Sequence, residues 1–306
     1  MRATTLLLSL SLAAAGLHAQ NLVTNGDFSA GTTGWTLGGG YSYNPIVETF
    51  DVSGLGASSC FACSPGGAVT PPPYAPNTLE QSIVLVPTIV YELSADICTK
   101  NENTSTVQNV DAGRIAVEIG GSPQGIYNFV TGASGASGNI TGQWVWRAKL
   151  ALRVTAATAG SQPLTFKFER SYLSNLSTPR VRITNIQLRF APNQPTFSID
   201  DNLRLNRTVA LRTRGIPNAQ YAVIAAPLTS AVPITIPGIS GFLNLDPATL
   251  IYFTGGLLDG TGFASTPVLV PNNINLTLAS TFFQPIQVSG SGAAFGFHYG
   301  FVFTNF

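Results

Sequence analysis

The sequence predicts an all-β protein built of two β-sandwiches, the second smaller than the first. Only 9% of the 306 residues are charged, whereas Gly occurs 31 times and Pro 20 times. Thr, Val, Ile and Phe, which favour strands, are plentiful, and no stretch repeats apolar residues with the period of a helix. Strands joined by turns, without helices between them, are typical of a sandwich and not of a parallel α/β sheet.

The first 19 residues have the pattern of a signal peptide. Arg2 supplies a positive start, residues 6–17 form a short apolar stretch, and Ala19 is the small residue that a signal peptidase needs. We expect cleavage between Ala19 and Gln20, and a protein that is secreted or exported to the cell surface. The apolar stretch is shorter than the ~20 residues of a membrane-spanning helix, so no membrane insertion is expected.

The charge balance argues against nucleic acid as a partner. Once the signal peptide with Arg2 and His18 is removed, the 15 basic residues become 14, equal to the 14 acidic residues. Lysine occurs only as Lys100, Lys149 and Lys167, and no basic cluster has the character of a phosphate-binding surface. Nucleic-acid binding is therefore not expected.

Four strands with one apolar and one polar face are predicted in the first half. They cover residues 88–100, 113–120, 144–154 and 164–169. Alternation of this kind places one face in a core and the other toward solvent. The polar faces carry Glu92, Asp96, Arg114, Glu118, Lys167 and Glu169. These residues line either a groove for a ligand or a solvated surface with weak ion pairs.

Residues 191–195 are predicted to be a linker that divides the chain into two domains, residues 20–192 and 196–306. Long loops are expected in the first domain at residues 54–78 and 131–142. The strands expected in the second domain are residues 208–211, 221–225, 249–253, 267–270 and 276–283. A hairpin-type turn is expected at residues 258–262.

The disulfide candidates are Cys60, Cys63 and Cys98. In an oxidising compartment one pair is expected to close, either to Cys98 or within the predicted loop, and to leave one thiol. A redox CxxC motif is not favoured, because no helix precedes or follows it to lower a thiol pKa. A zinc site is not favoured either, because the mature chain offers only His298 as a further ligand.

The first half resembles the CenC-type carbohydrate-binding modules, which share the galactose-binding-like jelly roll. The matching segments are NLVTNGDF at residues 21–28, Gly34-Trp35, LEQSI at residues 79–83, YELS at residues 91–94 and VRITNIQL at residues 181–188. The resemblance implies an N-terminal jelly-roll β-sandwich over residues 20–192 that binds a polysaccharide or glycan without catalysis.

The resemblance also bears on calcium. Members of the family often hold a structural calcium ion with acidic residues near the first motif and in the last strand. Asp27 is retained, but Ser29 stands where an acid is common and Asn185 stands where the family has Asp. Calcium prefers several oxygen ligands, including carboxylates. The resemblance therefore implies at most a weak calcium site at Asp27 and Asn185, and no cofactor is required.

The second half is similar to a small β-domain found on secreted bacterial proteins. The similarity rests on LNLDP at residues 243–247, DGTG at residues 259–262 and Gln284. Such domains have no activity that can be transferred to this chain. The similarity supports export and a surface or assembly role.

Carbohydrate modules bind sugars by stacking them on exposed aromatic rings and by orienting them with polar groups. Trp144 and Trp146 share the apolar face of their strand and Trp35 belongs to the framework motif, so all three are expected in the core. The candidate carbohydrate-binding residues are Tyr41, Tyr43, Tyr74, Tyr127, Glu92 and Arg114.

An enzyme is not expected from these residues. The mature chain has one histidine, His298, and contains no GxSxG nucleophile motif. Glu92 and Glu118 could share a face as a carboxylate pair, which leaves a hydrolase as a minor alternative. The sequence thus predicts a secreted, non-catalytic carbohydrate-binding protein. The alternative is a structural or adhesive extracellular protein with no sugar site.

Overall fold

The computed structural model describes eleven stretches of the chain. They are residues 21–39, 45–64, 76–87, 89–101, 111–130, 145–156, 158–169, 179–191, 194–199, 203–276 and 279–304. The predicted signal peptide, the loop at 131–142 and the centre of the predicted linker lie outside the described residues. Within the described part of the chain, no helix has the length and hydrophobicity needed to cross a membrane.

The predicted all-β sandwich architecture is confirmed, beginning with two packed antiparallel sheets in the first half. The strands are β1 (Thr36–Gly38), β2 (Ile46–Phe50), β3 (Ser58–Cys63), β4 (Asn77–Leu85), β5 (Val90–Asn101), β6 (Asp111–Ile119), β7 (Ser122–Val130), β8 (Val145–Thr155), β9 (Gly160–Glu169) and β10 (Pro179–Phe190). Sheet 1 has the order β1-β4-β9-β6-β7, and sheet 2 has the order β2-β3-β10-β5-β8.

The core of this sandwich is formed by the apolar faces that the sequence alternation predicts. Leu93 and Ile97 of β5 are fully buried, as are Phe166 and Phe168 of β9. Trp35 and Trp146 also belong to this core, as expected, whereas Trp144 lies outside the described residues. Burial of each such side chain contributes about 1.5–3 kcal/mol relative to exposure.

The N-terminal segment is fixed to the sandwich by a buried amide. The Gln81 side chain accepts a hydrogen bond from the Thr24 backbone N–H at 2.8 Å and donates to the Thr24 carbonyl at 2.9 Å and the Gly34 carbonyl at 3.2 Å. Gly26 packs so closely on β10 that a Cβ at this position would lie 2.1 Å from the Ile186 carbonyl oxygen. The NLVTNGDF segment therefore packs against the sandwich as part of its structure, and backbone contacts fix its position.

Twelve further strands follow in the described part of the second half. They are β11 (Thr196–Ile199), β12 (Leu203–Arg204), β13 (Thr208–Arg214), β14 (Gln220–Ala226), β15 (Thr229–Ile234), β16 (Ile239–Ser240), β17 (Leu243–Leu245), β18 (Ile251–Leu257), β19 (Phe263–Leu269), β20 (Ser280–Ser289), β21 (Gly292–Phe295) and β22 (Tyr299–Thr304). Short 3-10 turns cover Pro247–Thr249 and Ile274–Leu276.

These strands form a three-stranded sheet, β11-β13-β19, and a larger sheet with the order β12-β22-β20-β14-β18. β21 pairs with β20, β16 pairs with β21, and β15 pairs with β17. Phe197 and Phe283 meet in the core between the sheets, with ring centroids 5.6 Å apart. In the described residues, no sheet contains strands from both sides of residues 191–195. The division into two domains at this position stays a prediction.

The turn predicted at residues 258–262 connects β18 and β19. The Asp259 carboxylate accepts hydrogen bonds from the backbone N–H groups of Thr261 at 2.8 Å and Phe263 at 3.0 Å. The strand predicted at residues 249–253 begins later than expected, because Pro247–Thr249 forms a 3-10 turn and β18 starts at Ile251. Asp246 caps that turn by accepting from the Ala248 N–H at 3.1 Å.

The cysteines correct two expectations. Cys60 and Cys63 lie in strand β3 and not in a long loop, and Cys60, Cys63 and Cys98 are all buried free thiols. Cys63 faces the core, whereas Cys60 and Cys98 lie on the other face of sheet 2 beside Val52. β10 separates β3 from β5, so Cys60 and Cys98 are about 10 Å apart, beyond disulfide reach. Burial raises the pKa of all three thiols, that of Cys60 to about 11.

Candidate functional site

The polar residues that the sequence groups together lie on two different sheets. Arg114, Glu118, Lys167 and Glu169 are on sheet 1, in β6 and β9, whereas Glu92 and Asp96 are on sheet 2, in β5. These six residues therefore do not line one common groove. The expectation that Glu92 and Glu118 could form a glycosidase-like carboxylate pair was wrong for the same reason, because the core of the sandwich separates the outer faces of its two sheets.

The outer face of sheet 1 is the first candidate surface. We call it the charged face and define it by Glu80, Arg114, Glu118, Thr165, Lys167 and Glu169. The strand register places Glu80 opposite Thr165 and Thr165 opposite Glu118, so that one row crosses β4, β9 and β6. Thr165 Oγ1 donates to Glu80 Oε2 at 3.1 Å.

Two ion pairs lie beside this row. Lys167 Nζ is 2.5 Å from Glu118 Oε1, and Arg114 Nε is 2.5 Å from Glu169 Oε2. The Arg114 side chain is 44% exposed and that of Lys167 is 28% exposed, so both cations are within reach of solvent. Ile126 lies in the same register row as Lys167 and is 52% exposed. The charged face thus combines acceptors, donors and one apolar side chain.

The outer face of sheet 2 is polar as well, but the second half of the chain packs on it. We call the packed part the covered face and define it by Glu92, Ser94, Asp96, Lys149, Asn185 and Arg189. Lys149 Nζ is 2.8 Å from Asp96 Oδ1, and the Asn185 side-chain amide donates to Asp96 Oδ2 at 3.0 Å. The ring of Tyr299 lies over Lys149, and the ring of Phe297 lies over Arg189.

Glu92 is the most deeply buried acid of the covered face, with 2% of its surface exposed. Its Oε1 accepts a hydrogen bond from the Tyr299 hydroxyl, while Oε2 has no hydrogen-bond partner among the described residues. Burial raises the pKa of Glu92 to about 7, against smaller lowering effects of the Tyr299 hydrogen bond and of the charges on Arg189, Lys149 and Arg153. A carboxyl group in this position cannot contact a ligand while the two halves are packed together.

The rest of the outer face of sheet 2 carries ion pairs that lie around Phe50. Arg182 Nε is 2.6 Å from Glu48 Oε1, and its guanidinium lies 4.1 Å from the Phe50 ring centroid. Arg147 also pairs with Asp51, at 3.4 Å. These groups bind one another across β2, β8 and β10 and stabilise the edge of the sheet.

The structure shows the surroundings of three of the six predicted sugar-binding residues. Tyr127 is 7% exposed and packs edge-on against Phe129, so its expected role as a surface ring was wrong. Glu92 is buried by Tyr299, and its expected role was wrong for that reason. Arg114 is exposed as expected, but the structure pairs it with Glu169. Tyr41, Tyr43 and Tyr74 lie outside the described residues.

The two predicted calcium ligands, Asp27 and Asn185, are each hydrogen-bonded to another side chain of the protein. The backbones of the first motif and β10 do meet, since the Ile186 N–H donates to the Gly26 carbonyl at 2.9 Å. However, Asp27 Oδ1 accepts from the Ser29 hydroxyl at 3.0 Å, and the Asn185 oxygen accepts from the Gln187 amide at 2.7 Å. No cluster of three or more His, Cys, Asp or Glu in the described ranges could hold a metal ion. These donors do not fit a calcium ion, which takes six to eight oxygens.

His298 is partly buried beside an aromatic ring. Its ring centroid lies 6.4 Å from that of Phe282, and burial lowers its pKa, with smaller contributions from Lys149 and Arg189.

Glu80 and Thr165 were not among the predicted site residues. The alternation of apolar and polar residues along β4 and β9 predicts that both side chains lie on the outer face. That the two residues are neighbours follows only from the pairing of the strands.

No protein-family model matches the chain, and no curated protein matches it. Some solved structures show a weak likeness. A CBM61 carbohydrate-binding module in complex with β-1,4-galactotriose is 16% identical, with a TM-score of 0.35 over 56% of this chain and 100% of the module. The CBM22 tandem domain of Paenibacillus barcinonensis Xyn10C is 14% identical, with a TM-score of 0.31 over 82% of this chain and 85% of that one.

A glycosidase is among the similar structures as well. The GH2 β-galacturonidase from Eisenbergiella tayi is 10% identical, with a TM-score of 0.30 over 87% of this chain and 43% of the enzyme. Likeness at this level establishes neither a family nor a ligand. The CenC-type resemblance and that of the second half stay predictions, and the function has to be argued from the described side chains.

Proposed function

We propose that this protein is a secreted, non-catalytic carbohydrate-binding protein, and that the charged face of sheet 1 is its binding surface. The observation that carries the proposal is the pair of partly exposed carboxylates of Glu80 and Glu118, which flank Thr165 in one register row. Thr165 itself is only 7% exposed and donates a hydrogen bond to Glu80, while Lys167 is bonded to Glu118. Both carboxylates lie on the outer face of sheet 1, so an extended ligand that crosses these strands reaches both.

The chemistry of the charged face suits hydroxyl groups. Each ionised carboxylate has about four acceptor positions. Glu80 uses one of its positions for Thr165, and Glu118 uses one for Lys167. Lys167 and Arg114 add donors, and the exposed Ile126 offers an apolar contact for the C–H groups of a sugar ring. A neutral polysaccharide presents both kinds of group along its length.

The proposal is tested by binding of the full chain, without its predicted signal peptide, to a panel of insoluble polysaccharides and to a glycan array. Glu118→Gln and Glu80→Gln are expected to weaken binding at least about tenfold, since each replaces a charged acceptor of the ligand's hydroxyl groups by a neutral amide. Asp259→Asn, which alters an exposed carboxylate of the second half, is the matched control and is expected to bind like the wild type. An arm with EDTA tests whether calcium contributes to binding.

A second candidate function is a structural or adhesive extracellular protein with no sugar site. The burial of Trp35, Trp146 and Tyr127 favours it, because sugar platforms are normally exposed rings. A folded, monodisperse protein that binds no polysaccharide and no arrayed glycan would support this second function and contradict the first.

A further inference from the structure

The two halves of the chain meet through polar groups on the covered face. Tyr299 donates its hydroxyl to Glu92, and Lys149 Nζ lies 5.0 Å from the centroid of the Tyr299 ring. The guanidinium of Arg189 lies 4.7 Å from the Phe297 ring centroid. Arg153 also donates to the carbonyl of Gln194, in the predicted linker, at 2.5 Å. Ala151 of β8 packs in the apolar core of the second half. The contact therefore combines charged side chains of sheet 2 with an apolar contact.

Glu92 is an acid whose ionisation is disfavoured in this contact. It is buried, and neither its Oε2 nor the facing Arg189 Nε has a hydrogen-bond partner among the described residues. An ionised carboxylate that leaves water without full hydrogen bonding is strongly disfavoured, whereas a protonated one is not. The stability of the contact must then depend on whether Glu92 carries a proton.

We propose that the contact between the two halves is a proton-operated latch, which closes when Glu92 is protonated and opens more readily when Glu92 is ionised. The latch residues are Glu92 and Tyr299. Opening would uncover Ser94, Asp96 and the rest of the covered face. The inference concerns the packing of the halves and does not rest on glycan binding.

The groups that face Glu92 come from each element packed against it. Arg189 faces it from β10, and Arg153 and Lys149 act on it from β8. Tyr299 contacts it from the second half, where His298 is the next residue in the chain, while Asp96 lies farther along β5. Arg189, Lys149 and Arg153 favour the ionised form, yet burial outweighs them and raises the pKa of Glu92 to about 7. Tyr299 has a pKa raised well above its ordinary value by burial and by Glu92, so it stays a donor throughout.

The direction of the pH dependence follows from the pKa of Glu92 in the closed and open forms of the contact. In the closed form the pKa of Glu92 is about 7, and in an open, solvated form it returns toward its ordinary value of 4.5. Between these values the closed form binds more protons, so rising pH favours opening. The opening equilibrium constant should rise by on the order of a hundredfold between pH 4.5 and pH 8.

The experiment is hydrogen exchange of the full chain at pH 5.5, 6.5, 7.5 and 8.5, corrected for intrinsic exchange rates. Peptides from β8 and β22 of the wild type are expected to lose at least about tenfold in protection from the lowest to the highest pH. Glu92→Gln, which mimics the protonated acid, is expected to keep its protection at every pH. Asp259→Asn, which neutralises an exposed acid outside both faces, is the matched control and should show the pH dependence of the wild type.

Two results would overturn the latch. One is a wild-type protein whose corrected protection at β8 and β22 does not change with pH, and the other is a Glu92→Gln variant with the pH slope of the wild type. If Glu92→Gln does not fold, the same experiment on Tyr299→Phe tests the inference. It removes a hydrogen bond that lowers the pKa of Glu92, so the opening midpoint should move to higher pH. An unchanged midpoint contradicts the inference.

Discussion

Tyr299, in the last described strand, donates its hydroxyl to the carboxylate of Glu92, which lies 207 residues earlier in the chain. This bond is one of several contacts between the two halves, and it removes Glu92 from the set of side chains that a ligand can reach. The described parts of the second half cover the Glu92 region of sheet 2, whereas the charged face lies on the other sheet of the sandwich. The proposed binding surface on sheet 1 follows from this division.

The buried ion pair of Lys149 and Asp96 should contribute far more to folding than the pair on the charged face. The side chains of Lys149 and Asp96 are 8% and 14% exposed, against 28% and 19% for Lys167 and Glu118. Lys149→Met is expected to lower the free energy of unfolding by about 3–5 kcal/mol, because it leaves a buried carboxylate without its cation. Lys167→Met should cost less than about 1 kcal/mol.

Urea unfolding at pH 7 measures both changes. Adding Asp96→Asn to Lys149→Met should restore part of the lost stability, because the stranded charge is removed. If Lys149→Met and Lys167→Met lower the free energy of unfolding equally, burial does not determine how much these ion pairs contribute to stability.

The Gln81 amide should be needed to hold the N-terminal segment. Gln81→Leu keeps the approximate size of the side chain but leaves the backbone groups of Thr24 and Gly34 without their partner. The expected loss is about 2–3 kcal/mol in the free energy of unfolding. Gln220→Leu, at an exposed position, is the control and should change stability by no more than about 0.5 kcal/mol. If Gln220→Leu lowers the free energy of unfolding as much as Gln81→Leu does, the hydrogen bonds of Gln81 are not the cause of its effect.

Gly26 should tolerate no side chain, for a reason other than its backbone angles. An added Cβ would lie 2.1 Å from the Ile186 carbonyl oxygen, a backbone atom that cannot turn away. Gly26→Ala is expected to lower the thermal midpoint by several degrees or more. Gly290→Ala, with nothing within 4 Å of the added Cβ, should leave the midpoint nearly unchanged. Calorimetry of the two variants side by side tests the close contact.

The thiols should be present and unreactive in the native protein. Cys60, Cys63 and Cys98 are buried, and burial raises the pKa of each thiol, so little nucleophilic thiolate forms near neutral pH. A thiol reagent should label almost nothing under native conditions and all three cysteines in denaturant. Labelling of only one cysteine after denaturation would instead establish the disulfide that the sequence predicts.

The turn between β18 and β19 should make stability depend on pH in the acid range. Hydrogen bonds from Thr261 and Phe263 hold the pKa of Asp259 below its ordinary value of 3.8. Its stabilising effect is therefore complete above that value and is lost as the pH falls through the lower, folded-state pKa. Asp259→Ala should melt earlier than the wild type at pH 7, and the difference should shrink at pH 2. A difference that is the same at both pH values would contradict the role of the charge.

The strands with one buried face were largely predictable from the sequence. In β5, alternation of apolar and polar residues identifies Leu93 and Ile97 as core residues, and the structure buries both. Alternation works here because the side-chain period of a strand is two. It also placed Trp146 correctly, since a ring that shares a face with several aliphatic residues is buried with them.

The candidate site was less predictable, because alternation shows which face a residue occupies but not which strands are neighbours. The adjacency of Glu80 and Glu118 to Thr165 depends on β9 pairing between β4 and β6, which no local pattern indicates. The burial of Glu92 depends on Tyr299, at the far end of the chain. Cys60 and Cys63 were misplaced because the Gly- and Ser-rich segment around them has the composition of a loop.

The central claim is that a carbohydrate binds on the charged face of sheet 1. The most direct test is hydrogen exchange of the full chain with and without a soluble fragment of the polysaccharide that binds in the panel. The account predicts added protection in β4, β6 and β9, and none in β5, β8 or β10. Protection confined to sheet 2 or to the second half, with β4, β6 and β9 unchanged, would contradict it.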